Sequence, residues 1–348
     1  MAQQHKQWVL RTTDTVANLE YVTANTPQDL RENQVLVQMR AASLNYRDLA
    51  IIQGTYPSTR AVADTVPASD GSGVVKAVGP AVSSFKPGDK VVMHMVPDVP
   101  EDALPHFTDI SGGLGQVSDG TLRELAAFPQ EGLVRMPDNM TFEQAATLPC
   151  SGLTAWNALM GLRGRELKAG DYVLVQGTGG VSVAALQFAV AAGATVVATT
   201  GKEANVKRLE ALGASHVINY KTHPPWGEVA RSFTPESRGF DHIVDVGGNS
   251  TLGESLKAVR LDGLISLVGL LGTEAVQVDM LSALWSLAVV RGVLLGSKAM
   301  FRDMVRFCEE KNVQPALDDV AFSLERADEA YGRLEKQLHF SKVVITIP

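Results

Sequence analysis

Residues 170–200 carry two apolar patterns in quick succession. Tyr172-Val-Leu-Val175 is an unbroken apolar run, as a strand buried on both faces of a parallel sheet requires. Gly177, Gly179 and Gly180 interrupt it, and a small-residue helical stretch then runs to Gly193, a residue suited to ending a helix. A second apolar run, 195–200, follows at once. Strand, glycine turn, helix and strand in so short a space predict a βαβ unit. Buried-type strands are also predicted at 214–220, 241–246, 263–269 and 292–296, the last at a sheet edge. Strands alternating with helices from 150 to 300 imply an α/β fold with a doubly wound parallel sheet.

The flanking segments follow another rule. Residues 7–11 and 34–40 read as strands, with a turn at Asn25-Thr-Pro-Gln28 between them. Residues 41–54 form a strand end leading into a helical turn, 70–79 a glycine-rich strand that bends, and 85–92 a turn and strand. This glycine-punctuated β region predicts a small barrel-like domain. The stretch 97–119 is polar and rich in turn formers, a surface lobe of the kind that more often serves function than structure. Thr141-Phe-Glu-Gln144 has the pattern of a capping box and opens a helix that Pro149 should close; a second helix follows through Trp156. Helix 324–337 and strand 342–347 end the chain and return to the first domain. The expected domains are 1–130 joined by 300–348, and 131–299.

Composition narrows the class. A chain of 348 residues, 45% hydrophobic and 20% charged, is ordinary globular material for two domains. Its net charge of −7 argues against a general nucleic-acid binder. Two cysteines, Cys150 and Cys308, give neither a disulfide framework nor a four-cysteine zinc site. The first ten residues lack an apolar signal core, and the longest apolar passage, 281–295, is broken by Trp285-Ser286 and Arg291-Gly292. No membrane association is expected, and the location expected is cytoplasmic.

The glycines carry the first chemistry. They read G-T-G-G-V-S, with Ser182 at the third glycine of a dinucleotide fingerprint. Helix N-terminal N–H groups and the helix dipole would seat a pyrophosphate there. An unrelated α/β turn is one alternative. A methyltransferase is another, but it would want an acidic residue ending the second strand, which here ends Thr199-Thr200-Gly201-Lys202. An NAD site likewise tends to place Asp or Glu about twenty residues past the glycines. Lys202 with Thr199 and Thr200 suits a 2′-phosphate better, since charge-assisted bonds to phosphate are strong. Lys207 and Arg208 serve equally well as a solvated helix face. NADPH is therefore preferred, with NADH possible.

Five segments together resemble the medium-chain dehydrogenase/reductase superfamily across essentially the whole chain. They are Asn45-Tyr-Arg-Asp48, Lys86-Pro-Gly-Asp-Lys-Val-Val92, Ala145-Ala-Thr-Leu-Pro-Cys-Ser-Gly-Leu-Thr-Ala-Trp156, Val175-Gln-Gly-Thr-Gly-Gly-Val-Ser182 and Leu212-Gly-Ala-Ser-His-Val-Ile-Asn-Tyr220. Within it the chain looks most like the zinc-free quinone-oxidoreductase-like branch, in the subgroup labelled zinc-type alcohol dehydrogenase-like. The resemblance implies a Rossmann domain inserted in a β-rich, GroES-like catalytic domain. It carries Gly177, Thr178, Gly179, Gly180, Val181 and Ser182 to the pyrophosphate, and Thr200, Lys202 and Tyr220 to the adenosine 2′-phosphate. Val246, Gly247 and Gly248, with Leu270, Leu271 and Gly272, would run beside the nicotinamide. Quinone oxidoreductases usually set a lysine near what is Asn205 here, so Lys202 must substitute, with Lys342 a further candidate.

Zinc alcohol dehydrogenases of the superfamily keep ligands near positions 45, 68–70 and 150. Here those places hold Asn45, Ala68-Ser69-Asp70 and Cys150, one thiol and one carboxylate where a catalytic zinc wants three protein ligands. No zinc is expected. Without a Lewis acid, hydride transfer to an already polarised acceptor, an enone, enoyl thioester or quinone, is the reaction such a site suits. Asn45, Tyr46, Arg47, Asp48, Tyr56, Asp70 and Thr154 are the candidate proton donors or oxyanion partners. Tyr56 is either an active-site phenol or a loop tyrosine packed on Pro57. Arg47 and Asp48 are catalytic or a structural ion pair, and Asp70 faces the cleft or caps a turn at Gly71. Three readings follow: an NADPH-dependent reductase of activated carbonyls or quinones, an alcohol or aldehyde dehydrogenase, or a non-enzymatic dinucleotide-binding protein. The resemblance also implies a homodimer through the sheet edge at 291–297.

Overall fold

The computed structural model describes residues 4–27, 29–57, 62–269, 278–279 and 281–348. They form two compact units, 1–153 with 297–348, and 154–296. Residues 131–153, expected with the Rossmann domain, cluster with the first unit because strand Leu133–Arg135 pairs antiparallel with Lys90–Met93.

The second unit holds a six-stranded parallel sheet. Its spatial order is His216–Asn219, Thr195–Thr200, Tyr172–Gln176, Phe240–Asp245, Val259–Leu267 and Val289–Gly292. Chain order reverses on either side of Tyr172–Gln176, so the glycine turn leaves the sheet at its topological switch point. The apolar runs are continuous because both faces are covered: Val173, Leu174, Val197, Val244 and Ile265 are fully buried. Helix Gly180–Ala191 buries Val183, Ala185, Leu186 and Ala189. The edge strand is Val289–Gly292 rather than 292–296, because Val289 and Val290 register with Leu264 and Ile265.

The first unit is mainly antiparallel. Its sheet runs Phe322–Ser323, Val344–Thr346, Gln34–Ser43, Asp70–Val78, Lys90–Met93 and Leu133–Arg135, with Leu125–Pro129 also paired to Gln34–Ser43. The bend expected in the glycine-rich strand is a pair of register shifts against Gln34–Ser43. Gly73 is needed there, since a Cβ would come within 2.3 Å of the Gln38 carbonyl oxygen. The capping box forms as expected: Gln144 N–H donates to Thr141 Oγ1 at 3.3 Å and Thr141 N–H to Gln144 Oε1 at 3.0 Å. Pro149 does not simply stop that helix, Phe142–Ala145. It sits early in the wide turn Leu148–Gly152, where a missing N–H costs little. The polar lobe contains a short helix, Phe107–Gly112. Among the described residues no helix is long and apolar enough to cross a membrane.

Candidate active site

Sheet register brings the catalytic candidates together. Ser43, at the end of strand Gln34–Ser43, pairs with Asp70 on one side and Val344 on the other. Continuing that antiparallel register sets Lys342 beside Asn45, and Leu44 N–H donates to the Val343 carbonyl at 3.0 Å. The Lys342 ammonium donates to Asn45 Oδ1 at 2.5 Å and to the Leu44 carbonyl at 2.8 Å, and lies 3.6 Å from Asp70 Oδ2. Ser151 Oγ also donates to Asn45 Oδ1, at 3.1 Å. Asn45, Asp70 and Lys342 are all buried, Asp70 completely.

Two groups in this cluster are under strain from burial. Among the described residues neither carboxylate oxygen of Asp70 nor Asn45 Nδ2 makes a well-formed hydrogen bond. Burial pushes the Asp70 carboxyl up to about 7; Lys342 opposes the rise, Asp48 adds to it, and the Asn45 side chain and Cys150 backbone oppose it. The Cys150 thiol is pushed up to about 12, by burial first and by Asp70 next, so it is protonated at neutral pH.

Asp48 and Arg47 organise the shell around the cluster. Asp48 accepts from Asn45 N–H at 2.9 Å, which starts helix Tyr46–Ile52, and from Ser69 Oγ at 2.8 Å. Arg47 lies 3.4 Å from Asp48 and donates to the carbonyls of Leu114 at 3.0 Å and Ile110 at 3.3 Å and to Gln116 Oε1 at 3.1 Å. Its guanidinium also stands 5.5 Å from the Tyr56 ring centroid, and Tyr56 stacks on Phe107 of the lobe at 6.3 Å. Tyr46 is exposed. Thr154 is buried in the second unit, near the start of helix Leu153–Met160.

These residues do not fit a zinc ion. The oxygen of Asn45 is already filled by Lys342 and Ser151, and Ser69 is committed to Asp48. A lysine ammonium, itself a cation, donates to Asn45 and lies 3.6 Å from Asp70. Among the described residues no group of three or more His, Cys, Asp or Glu side chains could hold a metal.

The second unit fits a dinucleotide. Gly177 has φ +76°, and a Cβ at Gly177 or Gly179 would meet nothing within 4 Å, so the turn borders open space. Gly180, Val181 and Ser182 are the first residues of a helix long enough to carry a dipole. Serine is tolerated in place of the third glycine because its hydroxyl donates to the Gln176 carbonyl at 2.6 Å. Thr178 Oγ1 accepts from Asn205 at 3.3 Å, so Asn205, at the position of the missing lysine, ties the turn instead. Thr200 is buried at the end of its strand, Lys202 is exposed just beyond it, and the Tyr220 hydroxyl packs against Gly201.

Composition gave no hint of Asp245. This carboxylate ends strand Phe240–Asp245 fully buried, and it accepts from Gly247 N–H at 3.1 Å, Gly248 N–H at 3.0 Å and Thr251 Oγ1 at 2.6 Å. Ser255 Oγ at 2.6 Å and Gln176 Nε2 at 3.3 Å complete the set. It fixes the turn at Val246, Gly247 and Gly248; the legible signal was a polar residue closing an apolar strand before two glycines. Glu203, three residues beyond Thr200, is a second carboxylate without a sequence signal, and it accepts from Asn219 at 3.0 Å. Leu270, Leu271 and Gly272 lie outside the described residues.

Known proteins give the same assignment. The alcohol dehydrogenase GroES-like domain family matches residues 31–138, and the zinc-binding dehydrogenase family matches 180–310. The chain therefore belongs to the medium-chain dehydrogenase/reductase superfamily and is an NAD(P)-dependent oxidoreductase. It is 41% identical over 325 residues to a zinc-type alcohol dehydrogenase-like protein of Schizosaccharomyces pombe, covering 92% of this chain and 93% of the relative. It is 30% identical over 243 residues to the quinone oxidoreductase of Mus musculus, covering 70% of this chain and 66% of the relative. A solved structure of a Sinorhizobium meliloti protein, assigned as an alcohol dehydrogenase, superposes with a TM-score of 0.90 at 36% identity over 99% of both chains.

Proposed function

We propose that this oxidoreductase uses NADPH to reduce activated acceptors, α,β-unsaturated carbonyls or quinones, without zinc. The observation that carries the proposal is the buried Lys342–Asn45–Asp70 cluster, a fixed ammonium, carboxamide and carboxylate where zinc-bearing relatives hold metal ligands. The similarity to a quinone oxidoreductase supports it. Bound NADPH would supply the hydride. Asn45 offers an amide donor to the substrate oxygen as negative charge grows there, and the buried ammonium of Lys342 stabilises that charge through the amide. Tyr56, held between Arg47 and Phe107, is the proton donor in this scheme. Lys202 and Thr200 would take the 2′-phosphate, and the turn from Gly177 to Ser182 the pyrophosphate. The two cysteines are unpaired, which supports a cytoplasmic setting, and the position of Val289–Gly292 as the last strand of the sheet supports a homodimer.

A second reading, an NAD-dependent alcohol or aldehyde dehydrogenase, draws on Glu203 near the end of the second strand and on the name of the Schizosaccharomyces pombe relative. Parallel titration of NADPH and NADH into metal-analysed protein, followed by an enone and quinone panel, separates the two. The expected result is NADPH binding at least about tenfold tighter, worth about 1.4 kcal/mol, with turnover of an enone or quinone. Stoichiometric zinc, or equal binding of NADH with alcohol oxidation, would instead establish the second reading.

A further inference from the structure

We infer that Lys342 is a positioning residue that locks the Asn45 carboxamide in one orientation, oxygen inward and N–H₂ as the donor left for the ligand. This deepens the proposed reductase function and rests on it for the identity of that ligand. An amide oxygen and nitrogen are nearly equal in size, so only their hydrogen-bond partners distinguish the two flips of an asparagine. An ammonium has three donors and no acceptor. With Lys342 Nζ 2.5 Å from the inner amide atom, that atom must be the oxygen; a flip would press N–H against N⁺–H. Ser151 cannot impose this choice, because a hydroxyl either donates or accepts and would suit both flips. The Asp48 carboxylate accepts from the backbone N–H of Asn45.

Lys342 is itself held in place. It donates to the Leu44 carbonyl at 2.8 Å, faces Asp70 at 3.6 Å and is buried with both. The other amide atom, the nitrogen, is buried beside Asp70 and makes no well-formed hydrogen bond among the described residues. An amide nitrogen carries two N–H donors: one can turn to Asp70, and the second is the donor a ligand would meet. The Asn45 side chain also favours the charged form of Asp70, which is what an amide nitrogen, rather than an amide oxygen, beside that buried carboxylate would do. A carbonyl or enolate oxygen is the matching acceptor.

The test uses Lys342→Met, Lys342→Arg, Asn45→Ala and the Lys342→Met/Asn45→Ala double variant of the full-length protein. Two readouts are taken. Side-chain ¹⁵N–¹H resonances of protein labelled with ¹⁵N-asparagine, with Asn45 assigned from its loss in Asn45→Ala, report the amide itself without cofactor or substrate. The Asn45 pair is expected to be a single sharp pair in the wild type, to shift or split in Lys342→Met, and to return in Lys342→Arg. An Asn45 pair unchanged in Lys342→Met overturns the inference whatever the enzyme reduces. The second readout is NADPH-dependent turnover of the best acceptor in the panel. Lys342→Met is expected to lower kcat roughly 10–100-fold with little change in NADPH affinity, and to cost nothing further once Asn45 is alanine. Additive losses would mean that Lys342 acts independently of Asn45. A wild type that turns over no enone or quinone removes the proposed reaction and leaves the resonance experiment to decide the inference. Should Lys342→Met not fold, Lys342→Gln, which restores an ambiguous partner, is expected to give two Asn45 amide populations; a single unshifted one sinks the idea.

Discussion

Asp70 is a carboxylate with no exposure, no well-formed hydrogen bond and one cation 3.6 Å away. Burying it costs more than Lys342 returns, so its carboxyl rises from 3.8 to about 7. A carboxyl whose pKa is higher in the folded protein binds its proton more tightly there. Folding is therefore favoured below the unfolded value and loses stability as pH climbs from about 4 to about 7. Asp70→Asn abolishes this dependence. Wild type is expected to lose stability relative to Asp70→Asn across that window, by at most about 4 kcal/mol, measured as the difference in urea midpoints at each pH. Parallel curves would mean that the carboxyl titrates normally. Arg47 is a buried cation whose two terminal nitrogens donate to lobe carbonyls, Gln116 and Asp48, while its Nε has no partner among the described residues. Arg47→Met is expected to destabilise the protein by about 2–4 kcal/mol. Arg47→Lys should not rescue it, because an ammonium cannot span the forked contacts. Hydrogen exchange at 107–118 is expected to speed up in both variants, and unchanged protection there would show that the lobe stands without Arg47.

At the scale of elements, what was legible in the chain was local. The turn from Gly177 to Ser182 and the strands beside it follow from a short apolar run and a need for φ > 0, both written within a few residues. The capping box at Thr141 and Gln144 is equally local. The active-site cluster is not. Lys342 and Asn45 are 297 residues apart in sequence and meet only because strand Val344–Thr346 pairs with Gln34–Ser43, so Lys342 looked like a distant cofactor lysine. Asn205 stands in the sequence only as the place of a missing lysine, and its tie to Thr178 depends on where two loops lie in space. Asp245 shows what such hidden connections hold. Its two oxygens organise Gly247, Gly248, Thr251, Ser255 and Gln176. Asp245→Ala removes an acceptor from five donors, of which Gln176 Nε2 keeps Ser255 Oγ at 2.7 Å and Thr251 Oγ1 the Gly248 carbonyl at 3.4 Å. It is expected to cost about 3–5 kcal/mol in urea unfolding and to weaken NADPH binding at least about tenfold. Intact cofactor affinity in a destabilised Asp245→Ala protein would separate that turn from the cofactor site.

At the scale of the whole molecule, strand Val289–Gly292 ends the parallel sheet with its outer edge open among the described residues. A bare edge invites pairing, and around it Leu284, Trp285, Leu287 and Leu294 are exposed, Trp285 by 77%. The inner ladder shows which groups face outward. Val293 N–H donates to Leu267 and the Leu287 carbonyl accepts from Asp262, so odd-numbered residues bond inward and Val290 presents its N–H to the outside. Val290→Pro removes that outward donor without touching the inner ladder, and proline is tolerated on an edge for this reason. The wild type is expected to sediment at twice its 37.2 kDa mass. Val290→Pro, or Trp285→Glu on the flanking apolar surface, should sediment at the single mass with an unchanged far-ultraviolet spectrum. A wild type that sediments as a monomer would mean that the edge is protected within the chain itself. A dimer that survives both substitutions would place the interface elsewhere, and the exposed tryptophan would then need another partner.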